Sequence, residues 1–176
     1  MEFKEMKDSK DRAIANPSIQ ITQINSQDQI QNLLYEFKNV FSPELTSRIE
    51  NLNEYAKKLH RHATVMVATI NRDTIAGFVA YYINRKESGT SYLTQIAVHP
   101  QYQHMGIGQM LLLTYETDSM RNSFSQLMLE VNKENTPAIS FYRKNGFKRT
   151  GETIKNTWYM TKNVIDPNKK ICTDNR

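Results

Sequence analysis

The stretch from Gln95 to Gly108 most restricts what this chain can fold into. It opens as an apolar strand, breaks at Pro100, and becomes a loop in which Gly106 and Gly108 stand two residues apart. A helix pattern follows, with Ile107, Met110, Leu111 and Thr114 on one face and Glu116 and Asp118 among the polar positions. The first N–H groups of such a helix lack intrahelical acceptors and carry the positive end of its dipole, so phosphate oxygens fit there. Glycines at 106 and 108 would let the backbone approach a pyrophosphate with no Cβ in the way. Two familiar phosphate motifs are excluded. Gly108 is followed by Gln109 and Met110, so there is no P-loop lysine, and position 111, where a dinucleotide fingerprint needs its third glycine, is Leu.

The rest of the chain alternates between the two hydrophobic periods. Residues 18–24 alternate strictly, as a half-buried strand does. Ser26 is placed to cap a helix with Ile30, Leu33, Leu34, Phe37 and Phe41 as its stripe. Pro43 fits the first turn of a second helix, in which Leu45, Ile49, Leu52, Ala56 and Leu59 keep the same period. Strands over 63–70 and 74–83 meet at an Asn71-Arg72-Asp73 turn, and a turn over 86–90 leads into a strand from Tyr92 to Val98. After the central helix come a strand over 126–131, a helix opened by Asn135-Thr136-Pro137 and stopped by Asn145-Gly146, and a final hairpin over 147–161. This order predicts an α+β fold, a mixed sheet with helices on both faces. One domain over 17–163 is expected, between a polar leader (1–16) and a polar tail (164–176).

Composition narrows the function classes. No apolar run approaches the ~18 residues that span a membrane. The first residues lack the apolar core of a secretory signal, and the lone Cys172 supports neither a disulfide framework nor a metal cluster. A cytoplasmic protein with no metal is expected. The formal charge is +5, of which residues 162–176, with four basic and two acidic groups, supply +2. The densest basic cluster, Lys57 to His62, reads as a solvated helix end. Neither a nucleic-acid nor a membrane partner is expected; a polyanionic cofactor suits the mild positive charge.

Ile96-Ala97-Val98-His99-Pro100 followed by Gln103-x-x-Gly106-x-Gly108 resembles the acetyl-CoA signature of the GNAT superfamily of N-acyltransferases, Q/R-x-x-G-x-G/A after an apolar strand. Leu129-Glu130-Val131 with Asn135-x-x-Ala138-x-x-Phe141-Tyr142-x-Lys144-x-Gly146-Phe147 is similar to the second signature block of the same superfamily. The resemblance covers residues 63–160. It implies a central, mostly antiparallel sheet of about seven strands, splayed between the fourth and fifth, with the pantetheine arm of acetyl-CoA in the gap. Backbone of Ile96, Ala97 and Val98 would bind that arm as an added strand does. Backbone N–H groups of Gln103, His104, Met105, Gly106, Ile107 and Gly108 would take the pyrophosphate. His104 and Met105 depart from the common pattern, which has a small or basic residue at the first position and Lys or Arg at the second.

The resemblance also assigns chemistry. Tyr142 falls on the position of the general acid that protonates the departing thiolate; the bland alternative is a core aromatic beside Phe141. Asn135 would cap its helix, contact CoA, or both. Glu130 matches the carboxylate used as a base in some N-terminal-amine acetyltransferases of the superfamily, and the alternative is a carboxylate paired at a sheet face. Alternation turns its side chain away from Leu129 and Val131. Tyr92 and Thr94 would line the acceptor side, and His99 reads as a turn residue. The implied activity is direct acetyl transfer to a primary amine, on a small molecule or alternatively on a peptide or protein. A non-catalytic acyl-CoA-binding module is the rival class. A monomer or homodimer is expected.

Overall fold

The β-period segments pair into one sheet, and the 3.6-period segments cover it. The computed structural model describes residues 18–84 and 86–164; the expected leader, Cys172 and the expected tail except Val164 lie outside them. The elements are β1 (Ile19–Gln23), α1 (Gln27–Phe37), α2 (Leu52–His62), β2 (Thr64–Ile70), β3 (Thr74–Tyr82), β4 (Thr90–Val98), α3 (Ile107–Arg121), β5 (Gln126–Asn132), α4 (Thr136–Lys144), β6 (Lys148–Glu152) and β7 (Thr157–Asn163). The seven strands lie in the order β1-β2-β3-β4-β5-β7-β6, and every neighbouring pair is antiparallel except β4–β5. The β2–β3 turn puts Asn71 and Arg72 at φ 53° and 80°. Two left-handed residues in succession match the right-handed twist of the strands they join.

Each face of the sheet has its own core. On one, Ile30, Leu33, Leu34 and Phe37 of α1 and Leu52, Ala56 and Leu59 of α2 bury against Val65, Val67, Phe78, Ala80 and Ala97. On the other, Leu111, Leu112 and Tyr115 of α3 and Ile139 and Tyr142 of α4 bury against Val79, Tyr81, Leu93, Leu127, Leu129, Val131 and Met160. Each fully buried Leu or Phe contributes on the order of 2 kcal/mol relative to exposure.

Three local readings are corrected. The second helix starts at Leu52 rather than Pro43, because Asn51 Oδ1 accepts from the N–H groups of Asn53 and Glu54 at 3.0 and 3.1 Å and caps it there. Leu45, in a 3-10 turn, and Ile49 still join the core of α1 and α2, which is why they keep the period. The first helix ends at Phe37, and Phe41 packs from beyond it on Phe78, with ring centroids 6.2 Å apart. The face of α3 is also rotated: Ile107, Leu111, Leu112, Tyr115 and Ser119 are buried, whereas Met110 is exposed. Polar anchors fix that rotation, since Tyr81 donates to Asp118 at 2.7 Å and Lys162 to Glu116 at 2.7 Å.

Two features of β4 position the site. Its pairing with β5 runs only from Thr90↔Gln126 to Leu93↔Leu129, so the strands part beyond Leu93. Its pairing with β3 steps from Tyr81↔Leu93 to Ala80↔Gln95, which leaves Thr94 as the extra residue of a β-bulge.

Candidate active site

The parting of β4 and β5 opens a cavity of about 420 Å³ on the α3–α4 side of the sheet. Ile96, Ala97 and Val98 of β4 line one wall, the loop residues Gln103, His104 and Gly106 with Ile107 and Gly108 of α3 the end, and α4 the other wall. Gln103 pins the loop by donating its amide to the Val98 carbonyl at 3.2 Å. His104 and Gly106 take left-handed conformations, φ 65° and 79°, which turn the chain sharply into α3. Met105, 40% exposed, is not among the lining residues.

At this turn the backbone itself fits a pyrophosphate. Among the described residues no side chain caps α3, and the first N–H closing on the loop is that of Met110, bonded to the Gly106 carbonyl at 3.0 Å. The donors of Ile107, Gly108 and Gln109 precede it at the positive end of the dipole. A Cβ at Gly106 would meet no atom of the described residues within 4 Å, so the space on that side of the backbone is open among them. The sequence reading missed Tyr102, Gln109, Pro137, Ala138 and Phe141 as lining residues. The four-residue spacing from Pro137 to Phe141, one face of a helix, is the signal that could have found the last.

Tyr142 lies in the α4 wall, 6% exposed, its ring flanked by Phe141 and Phe147 with centroids 5.5 and 5.8 Å away. Its hydroxyl bonds to no other described residue. Burial, with Tyr115 nearby as a smaller cause, pushes this phenol far above the usual tyrosine range. Asn135 does not line the cavity. Its Oδ1 caps α4 by accepting from the Ala138 N–H at 3.1 Å, and its Nδ2 donates to the Ser42 carbonyl at 3.1 Å, tying α4 to the α1–α2 connection.

Glu130 sits on the opposite sheet face, because Leu129 and Val131 point into the core under α3 and α4. Tyr92 donates to its Oε2 at 3.4 Å, and the Thr157 hydroxyl donates to its Oε1. Tyr159 stands directly opposite it in the β5–β7 register. Burial, then the adjacent carboxylate, raises the Tyr92 phenol far above its ordinary range, so it remains a donor. The bulge aims both Thr94 and Gln95 at Tyr55 of α2: Thr94 Oγ1 lies 3.0 Å from that hydroxyl, and Gln95 Nε2 donates to it at 3.1 Å. Tyr92 and Thr94 thus share the side of the sheet that holds Glu130. His99 packs edge-on to Phe37 at 6.3 Å and lies 6.0 Å from Tyr102, with its Nδ1 buried and without a hydrogen-bond partner among the described residues. Among the described residues, no His/Cys/Asp/Glu group of three could hold a metal ion, and no helix is long and apolar enough to cross a membrane.

Known proteins share this fold. A structure of PaiA N-acetyltransferase from Thermoplasma acidophilum in complex with coenzyme A shares the fold at TM-score 0.66 and 22% identity, over 84% of this chain and 99% of that one. The ribosomal-protein-S18-alanine N-acetyltransferase of Escherichia coli does so at TM-score 0.67 and 19% identity, over 88% and 99%. In sequence, the chain is 32% identical to an N-alpha-acetyltransferase of Sulfurisphaera tokodaii, over 84% of its own length and 87% of that protein. It is 30% identical to a spermidine N(1)-acetyltransferase of Thermoplasma acidophilum over 60% of its length and 63% of the relative's. The model of the acetyltransferase (GNAT) family matches residues 28–147, a span that runs from α1 through the cavity loop to the end of α4, and the chain belongs to that family of N-acetyltransferases.

Proposed function

We propose that this protein transfers the acetyl group of acetyl-CoA directly to a primary amine, with Tyr142 as the acid and Glu130 as the group that receives the amine. The observation that carries the reading is the meeting, on one cavity, of unpaired β4 backbone, an uncapped helix N-terminus and the Tyr142 phenol. When bound, acetyl-CoA supplies an activated acyl group and a thiolate leaving group. The backbone of Ile96 to Val98 orients the pantetheine, and the loop from Gln103 to Gly108 holds the phosphates. Tyr142 stores a proton at its hydroxyl for the departing sulfur. Its raised affinity for that proton is no handicap, because the same desolvation makes a thiolate there more basic. We assign the whole reaction to one domain over residues 17–163. A cytoplasmic setting, no nucleic-acid or membrane partner and a monomer or homodimer belong to the same reading.

Glu130 is the one carboxylate that β4, β5 and β7 contribute, and phenols stand beside it. This supports an acceptor with a single ammonium over a polyamine, whose further charges would find no partner on these strands. Both a small monoamine and a peptide α-amine satisfy that demand. The Sulfurisphaera tokodaii relative, described as an N-alpha-acetyltransferase, favours the peptide.

An acceptor panel with acetyl-CoA, read by thiol release, tests the class: propylamine, spermidine and a tetrapeptide beginning with alanine. The tetrapeptide should turn over fastest and spermidine slowest, and the reverse order would end the single-ammonium reading. If Glu130 takes the ammonium proton, Glu130→Gln should lower kcat/KM at neutral pH, with the defect shrinking as pH approaches the amine's pKa. A purely raised KM would make it a binding group, and a lower Tm with unchanged kinetics would remove it from the site.

A further inference from the structure

A row of hydroxyls leads from the β6–β7 turn to Glu130, and its direction is fixed by what each group can donate. Thr157 Oγ1 donates its only proton to Glu130 Oε1, since an ionised carboxylate only accepts. Thr153 Oγ1 lies 2.7 Å from Thr157 Oγ1, so the Thr153 hydroxyl must be the donor of that pair. Thr153 in turn accepts from the Lys155 N–H at 3.0 Å. Every proton in the row therefore points toward the carboxylate.

The turn that supplies the row is tied down at both ends. The Thr153 N–H donates to the Thr157 carbonyl at 3.0 Å, and the Lys133 N–H donates to the Asn156 carbonyl at 3.2 Å. On the other side of the carboxylate, Tyr92 is the only hydrogen-bond donor to Oε2 among the described residues, at 3.4 Å, which leaves that oxygen with capacity for an incoming donor.

We propose that Thr157, oriented by Thr153, is a positioning residue that locks Oε1 of Glu130 so that Oε2 faces the acceptor amine. The inference rests on the reading of Glu130 as the acceptor group. Hydrogen bonds to a charged group are the stronger kind, and consecutive ones polarise each other in the same sense.

The test is steady-state kinetics with acetyl-CoA and the alanine-initiated tetrapeptide, on full-length variants whose melting temperature and acetyl-CoA affinity match the wild type. Thr157→Val keeps the shape and removes the hydroxyl, and should lower kcat/KM about tenfold. Thr157→Ser restores the donor and should stay within about twofold of the wild type. Thr153→Ala removes the orienting donor, together with the acceptor of the Lys155 N–H, and should cost about threefold. In the Glu130→Gln background, Thr157→Val should cost less than about twofold, because a residue acting through Glu130 has nothing left to position.

Wild-type kinetics in folded Thr157→Val would overturn the proposal while a damaged Glu130→Gln kept the reading of Glu130 alive. So would an undiminished tenfold loss in the double variant. If Thr157→Val does not fold, wild-type kinetics in Thr153→Ala overturn the row on their own. Wild-type kinetics in Glu130→Gln, or no turnover of the tetrapeptide by the wild type, would instead overturn the acceptor reading, and the row with it.

Discussion

Tyr142 is clamped by its ring between Phe141 and Phe147, while its hydroxyl makes no hydrogen bond to another described residue. Removing only that oxygen leaves the clamp intact. Tyr142→Phe should therefore lower kcat by roughly tenfold to a few hundredfold, with acetyl-CoA affinity nearly unchanged in calorimetry. Full activity would leave Tyr142 as a packing residue. The same side chain shows how unevenly residue roles can be read from sequence. A tyrosine beside Phe141 on a helix is ordinary core, and only the order of the two signature blocks singled it out. Glu130 was visible as the odd polar residue between Leu129 and Val131. Thr157 was not, since a threonine opening a strand carries no mark of its partner 27 residues upstream.

At the scale of elements, the cavity loop gives two glycines different duties. Gly106 is required by its φ of 79°, with open space around it. At Gly108 a Cβ would already sit 3.7 Å from Phe141 and Val98, both lining residues. The further methyls of Gly108→Val would project among the cavity walls. Acetyl-CoA affinity should fall at least about tenfold while the protein stays folded, and unchanged affinity by calorimetry would remove the loop from the phosphate site. The strands were legible because alternation survives in β1, β4 and β5, β2 and β3 are apolar runs of strand length, and the turns that bound those runs carry Asn71 and Gly89. The start of α2 was not, because Leu45 and Ile49 keep a helical period from outside the helix while Asn51, three residues before Glu54, sets the true cap. The bulge at Thr94 is equally silent. It is fixed by register against β3, a property of two strands that neither sequence displays alone.

Across the whole molecule, burial of phenols sets a limit on alkaline tolerance. Tyr81, Tyr115 and Tyr142 are all raised above the ordinary value of 10.0, chiefly by desolvation. Above pH 10 the unfolded chain releases these protons and the folded one keeps them, so the folded state binds more protons and loses stability as pH rises. Each phenol steepens the decline by about 1.4 kcal/mol per pH unit. Thermal melts from pH 9 to pH 11.5 should show the fall, and Tyr142→Phe should make it shallower by one proton's worth; a flat profile would contradict the burial of these groups. The parting of β4 from β5 bears on the molecule in another way. Beyond Leu93, those amides of β4 that point toward β5 rather than β3 have no ladder to enter. In deuterated water they should exchange early, as a line of fast sites inside an otherwise slow strand. Acetyl-CoA should slow that line selectively, leaving the alternate amides bonded to β3 at their former rates. The free enzyme would then carry its cofactor's outline as a pattern of exposed protons, erased on binding and restored on release.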